Sequence, residues 1–163
     1  FLSLGKIEEG KIQQHVSEFN VKEQLHLMIQ EIQPILKKGQ EIVYQHNGGL
    51  HVKMDLSLLR NIMINLISNA IKFSSDGAMI WAESEMNGSE MLTIQVRDQG
   101  LGIPDEDKKH LFERFFRGKN VTNIQGTGLG LHIVSKYVEL MGGRIEVESE
   151  LNKGTLFTLT FTL

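Results

Sequence analysis

The chain has 163 residues, the length of one ordinary domain; with 40% hydrophobic and 23% charged residues it is not a disordered segment. A net charge of -3 offers no basic surface for nucleic acid or anionic lipid. The lack of cysteine excludes a disulfide scaffold, a thiol nucleophile and a thiolate zinc site, and no apolar run nears the ~20 residues of a membrane span.

In chain order, Phe1 to Ile7 reads as the end of an apolar helix in a chain cut from a longer protein, and Lys11 to Phe19 as an edge strand. Asn20 followed by Glu23 marks a helix start. Leu25, Met28, Ile29, Ile32, Ile35 and Leu36 then recur at helical spacing, with Pro34 predicting a bend or an early end and Gly39 the stop. Glu41 to His46 and Leu50 to Met54 read as two strands joined in a hairpin through Asn47-Gly48-Gly49. Asp55 caps a helix running to Phe73. Met79 to Met86 and Met91 to Asp98 are strands around an Asn87-Gly88 turn. Asp105 to Phe116 is a short amphipathic helix, and Gly126 to Met141 a helix with a glycine-rich start. Gly142-Gly143 turns the chain into strands Arg144 to Glu150 and Thr155 to Leu163. Helices interleaved with hairpins predict an α/β sandwich, with helices on one face of a mixed, mainly antiparallel sheet.

The helix from Asp55 to Phe73 is apolar except for a stripe. At about 100° per residue, Asn61, Asn65, Ser68, Asn69 and Lys72 fall within roughly 100° of one another. A solvated face would favour Glu and Lys, because Asn is a poor helix former. Three amides and a lysine suit a magnesium ion, which takes oxygen ligands, and phosphates, which take a lysine. On the second strand Leu92, Ile94, Val96 and Asp98 share one face, so the alternation carries a carboxylate to the edge of an apolar site. There it needs a donor, and an adenine amino group would serve; Gly100 and Gly102 allow a flat ligand close approach. Asp-Gln-Gly-Leu-Gly is equally turn-like in any protein. Gly126-Thr127-Gly128-Leu129-Gly130-Leu131 opens a helix, and N–H groups at such a start attract anions. Its spacing is neither the dinucleotide fingerprint nor a P-loop. Between the glycine clusters, Leu111-Phe112-Glu113-Arg114-Phe115-Phe116-Arg117 reads either as a helix docked by its phenylalanines or as a hinged lid whose arginine reaches a phosphate.

The order of these segments resembles the catalytic, ATP-binding domain of sensor histidine kinases, within the gyrase, chaperone, kinase and mismatch-repair ATP-binding superfamily. Asn65 to Phe73 is similar to the asparagine box, Asp98 to Ile103 to the first glycine box, Leu111 to Arg117 to the phenylalanine box, Gly126 to Leu131 to the second glycine box, and Lys153-Gly154-Thr155 to the last. The resemblance implies the two-layer α/β sandwich of that superfamily (the Bergerat-type fold), with ATP and Mg²⁺ as cofactors. By position it implies Asn69 on Mg²⁺, Asn65 beside metal and phosphates, Lys72 on phosphate and Phe73 near the adenosine. It implies Asp98 as acceptor of the adenine amine with Thr155 nearby, and Arg114 toward the γ-phosphate. Gly100, Gly102 and Ile103 line the base pocket, and Gly126, Thr127, Gly128, Leu129 and Gly130 the phosphate-covering backbone; the mobile lid spans about residues 104–127.

Hydrolases of the superfamily carry a Glu base four residues before the metal-binding Asn. The amide of Asn65 stands there instead, and it takes no proton at neutral pH. The resemblance therefore implies phosphoryl transfer to a histidine, with Asn65, Lys72 and Arg114 as the catalytic set. Among His15, His26, His46, His51, His110 and His132 none sits in the acceptor motif. The acceptor is expected on a dimerisation domain of the same protein, whose last helix ends in residues 1–10, with the catalytic domain over 11–163. A response regulator receiver domain is the onward partner. Nucleic acid and direct membrane contact are not expected. The isolated domain is expected to be a cytoplasmic monomer and the whole protein a homodimer. The alternatives are a self-contained ATPase of the same fold and a degenerate binding module.

Overall fold

The structure is a computed structural model that describes residues 13–113, 116 and 130–163. It has seven strands and four α-helices in these residues. Strand β1 (Ser17–Asn20) leads into α1 (Val21–Ile32), whose start is capped by Asn20 Oδ1, 3.0 Å from the N–H of Glu23. The helix gives way to a 3-10 turn, Gln33–Ile35, at Pro34, which has no N–H for the helical ladder. Gly39 then turns the chain at φ +76°. Strands β2 (Glu41–Gly48) and β3 (His51–Met54) precede α2 (Leu56–Phe73), capped by Asp55 Oδ1 at 3.0 Å from the N–H of Leu58. Strands β4 (Met79–Asn87) and β5 (Met91–Asp98), the short α3 (Asp105–Lys108), α4 (Gly130–Leu140), β6 (Arg144–Glu150) and β7 (Gly154–Thr162) follow.

Five strands form one sheet in the order β2-β4-β5-β7-β6; β2 and β4 are parallel and the other pairs antiparallel. The inward side chains of β4, β5 and β7, from Ile80 and Ala82 to Phe161, face α1, α2 and α4. Helix α2 lies at the centre: Leu59, Ile62, Met63, Leu66 and Ile67 are fully buried. Each such side chain contributes about 1.5–3 kcal/mol of apolar burial. The opposite sheet face carries exposed Glu83, Glu85, Arg97, Glu146 and Glu148. This is the two-layer α/β sandwich expected. Among the described residues no helix is long and apolar enough to cross a membrane.

Two local expectations are corrected. Strands β2 and β3 do not form a hairpin: β3 pairs with β1 in a separate antiparallel ribbon, and β2 pairs with β4 in continuous register from Glu41↔Met79 to Gly48↔Met86. A Cβ at Gly48 would lie 2.2 Å from the Met86 carbonyl oxygen, so the glycine serves a close approach to β4 and not a tight turn. The hydroxyl of buried Ser84 on β4 also ties the strands together, 2.7 Å from both Tyr44 Oη and His46 Nδ1. The helix expected over Asp105 to Phe116 ends at Lys108. The N–H groups of His110, Leu111 and Glu113 reach back three residues rather than four. This tighter winding accompanies burial of Leu111 and an edge contact of Phe112 on Phe157 of β7, with ring centroids 6.4 Å apart.

Candidate functional site

The polar stripe of α2 is real, and its five side chains are half-buried. Asn65 Nδ2 donates to the Asn61 carbonyl at 2.8 Å and to Asn61 Oδ1 at 2.9 Å. Both amide hydrogens are thereby engaged, and Asn65 Oδ1 is left facing the start of α4, 3.1 Å from where a Cβ on Gly130 would sit. Asn61, noticed in the sequence only as part of the stripe, is what orients Asn65. Asn69 has no side-chain hydrogen bond among the described residues. Lys72 Nζ lies 5.9 Å from the centroid of the Phe73 ring, a cation–π contact.

The end of α2 is held by residues with no signal of function in the sequence. Buried Gln40 places Nε2 at 3.1–3.3 Å from the carbonyls of Ile71, Ser74 and Ser75, while its Oε1 accepts from the Lys37 N–H. Lys37 Nζ donates to the carbonyls of Lys72 and Ser74 at 2.8 and 2.7 Å. A cation and an amide thus satisfy the orphan carbonyls of the last turn. The turn is fixed where Lys72 and Phe73 project.

Asp98 ends β5 at 9% exposure. Burial raises its carboxyl from 3.8 to about 6; hydrogen bonds from the backbone N–H groups of Gly100, at 2.8 Å, and Thr155 offset part of that rise. At neutral pH the site holds a buried, ionised carboxylate, an arrangement that favours a ligand with a hydrogen to donate. Thr155 lies directly across from Asp98, and Ser149 across from Thr155, in one row over three strands. Ser149 Oγ is 2.7 Å from the Gly154 carbonyl, 2.9 Å from Thr155 Oγ1 and 2.8 Å from the Ile103 N–H. Ser149 escaped the sequence reading because its polar side chain lies on an unremarkable alternating strand.

The glycines beside Asp98 also answer to the backbone packed around them. A Cβ on Gly100 would lie 2.4 Å from the Phe73 carbonyl oxygen, on Gly102 2.0 Å from that of Glu150, and on Gly154 2.1 Å from that of Asp98. Gly102 and Gly154 also hold φ +70° and +107°. These glycines let backbone meet backbone; they do not simply open room for a flat ligand. The N–H of Leu101 donates to the Phe73 carbonyl at 3.2 Å, and that of Asn152 to the Leu101 carbonyl. Contacts thus link Gly130 to Asn65 at the middle of α2, and Phe73 at its end to Gly100 and the Asp98–Thr155 row. Arg114, Gly126, Thr127, Gly128 and Leu129 lie outside the described residues, as does most of the second half of the expected lid.

The family model described as histidine kinase-, DNA gyrase B- and HSP90-like ATPase matches residues 54–163. The chain is 33% identical to the autoinducer 2 sensor kinase/phosphatase LuxQ of Vibrio cholerae, over 97% of this chain and 19% of that protein. It is 37% identical to the sensor histidine kinase WalK of Bacillus subtilis, over 78% of this chain and 22% of that protein. The chain therefore spans about a fifth of the length of these relatives. In the crystal structure of full-length ShkA in complex with AMPPNP, the similar region covers 98% of this chain and 34% of that one, with a TM-score of 0.86 at 25% identity.

Proposed function

Since the chain belongs to the family of histidine kinase-, DNA gyrase B- and HSP90-like ATPases, we propose that it is the catalytic domain of a sensor histidine kinase, which binds Mg·ATP and passes the γ-phosphoryl group to a histidine on a separate acceptor domain of the same protein. A response regulator receiver domain is the proposed onward acceptor. The observation that carries the choice of transferase over hydrolase is the state of Asn65. Its two amide hydrogens are held by Asn61 and its oxygen points to the start of α4. It has no basic lone pair with which to activate water.

In this reading Asp98 accepts a hydrogen from the adenine amine and Phe73 flanks the adenosine. Lys72, set by the Lys37–Gln40 clamp, meets phosphate. The residue fitted to hold Mg²⁺ is Asn69, a half-buried amide without a hydrogen-bond partner among the described residues, with Asn65 beside it. Bound there, the ion would neutralise charge on the phosphate oxygens. The neutral imidazole of the acceptor is already nucleophilic, so this domain's task is to position the phosphates and exclude water. Arg114 and the backbone of Gly126, Thr127, Gly128, Leu129 and Gly130 complete the phosphate end in the proposal, within a lid over about 104–127.

The test is phosphoryl transfer in trans. With γ-labelled ATP and Mg²⁺, the chain should label a supplied acceptor domain and not itself. Asn69→Ala should abolish labelling while leaving the far-ultraviolet circular dichroism unchanged. Labelling of the chain's own histidines, or steady phosphate release without any acceptor, would overturn the assignment.

A further inference from the structure

The row Asp98–Thr155–Ser149 has a property that follows from counting hydrogens. A serine hydroxyl has one hydrogen and two lone pairs. The Gly154 carbonyl can only accept, so the hydrogen of Ser149 Oγ goes to it, at 2.7 Å. The Ile103 N–H can only donate, so one lone pair of Ser149 receives it, at 2.8 Å. The remaining contact, 2.9 Å to Thr155 Oγ1, then has a single solution: Thr155 donates and Ser149 accepts. Thr155 keeps both its lone pairs and has no hydrogen to offer. The N–H groups of Gly100 and Thr155 are already turned to the Asp98 carboxylate. Every one of these donors is engaged inside the protein, and what the row presents outward is acceptors alone.

We propose that Ser149 is a specificity-positioning residue: by holding the hydroxyl hydrogen of Thr155 it keeps the base site free of donors, so that the site selects a base with an exocyclic amine over one with a carbonyl in that place. The inference rests on the reading of Asp98 as the adenine acceptor. Ser149 acts through Thr155 and through the Ile103 backbone. A guanine carbonyl would bring lone pairs against those of Asp98 and Thr155, and a site of buried acceptors left unpaired discriminates strongly. With Ser149 removed, the threonine hydroxyl is free to rotate and donate to that carbonyl.

The experiment measures the affinities of the 163-residue chain for ATP and GTP by calorimetry, and reads their ratio. A purely structural loss lowers both affinities alike and leaves the ratio unchanged. Ser149→Ala should narrow the preference for ATP by about fivefold, the scale of one net hydrogen bond. Ser149→Thr, which keeps the hydroxyl, should restore the preference. In a Thr155→Val background Ser149→Ala should leave the ratio where Thr155→Val alone puts it. Thr155→Val also tests the row if Ser149→Ala fails to fold, because removing the acceptor should cost ATP affinity and not GTP affinity. An unchanged ratio in Ser149→Ala, or a shift that persists in the Thr155→Val background, overturns the inference while leaving the adenine site intact. A wild-type chain that binds ATP and GTP equally refutes the adenine reading itself, and one that binds neither refutes the proposed function.

Discussion

Asp98→Asn should make the nucleotide-free domain more stable at neutral pH while weakening its grip on ATP. Burial lifts the carboxyl from 3.8 to about 6, a rise of roughly two pKa units. Because the folded-state value is raised, the fold gains from the proton below pH 3.8 and has lost that gain once the pH passes about 6. Above that, holding the bare carboxylate costs the fold about 3 kcal/mol at ~1.4 kcal/mol per unit. An asparagine removes that cost. Its amide keeps one acceptor for the Gly100 N–H but turns hydrogens toward the second oxygen's place, which returns about 1 kcal/mol. A net gain of about 2 kcal/mol is expected at pH 7.5, equivalent to a rise in Tm of about 4–8 °C for a domain of this length. The gain should shrink as the pH falls through 6 and be absent near pH 4. Urea unfolding of both proteins at pH 7.5, 6 and 4.5, without nucleotide, reads it directly. A difference in stability independent of pH, or a variant less stable at pH 7.5 than at pH 4.5 relative to wild type, would refute the electrostatic reasoning. ATP affinity of the wild type should fall as the pH drops through about 6, and the variant should bind weakly at every pH.

Gly102→Ala forces a Cβ to within 2.0 Å of the Glu150 carbonyl oxygen at φ +70°. Overpacking and left-handed strain together should cost about 2–5 kcal/mol, seen as a lowered urea midpoint. Gln40→Ala strips the end of α2 of its clamp on Ile71, Ser74 and Ser75. It should lose about 1–3 kcal/mol of stability and also reduce nucleotide affinity measured by calorimetry, since Lys72 and Phe73 sit on that turn.

Much of the candidate site is legible because its geometry is written in local periodicity. The stripe of Asn61, Asn65, Asn69 and Lys72 needs only the pitch of a helix. Asp98 follows from the alternation of Leu92, Ile94 and Val96, and the caps at Asn20 and Asp55 are bonds across three residues. The resemblance carried by the five boxes then supplied the superfamily and its fold, which the sandwich and its similarity to solved structures bear out. The hairpin misread at Asn47-Gly48-Gly49 marks the boundary of such reasoning. A glycine pair signals a chain direction locally, but whether β2 pairs with β3 or with β4 depends on a strand some forty residues away.

What only the tertiary structure decided are the contacts between distant segments. Gln40 meets the end of α2 across 31 residues, and Ser149 meets Ile103 across 46. The glycines of the first and last boxes are required by carbonyls of Phe73, Glu150 and Asp98, each brought close by the packing of helix and strands and not by neighbouring sequence. The sequence determined which chemical groups the site contains, because side-chain identity and local period fix them. The fold determined which of their hydrogens and lone pairs remain free, because a hydrogen bond has one hydrogen, and its recipient is chosen by whatever the folded chain places within reach.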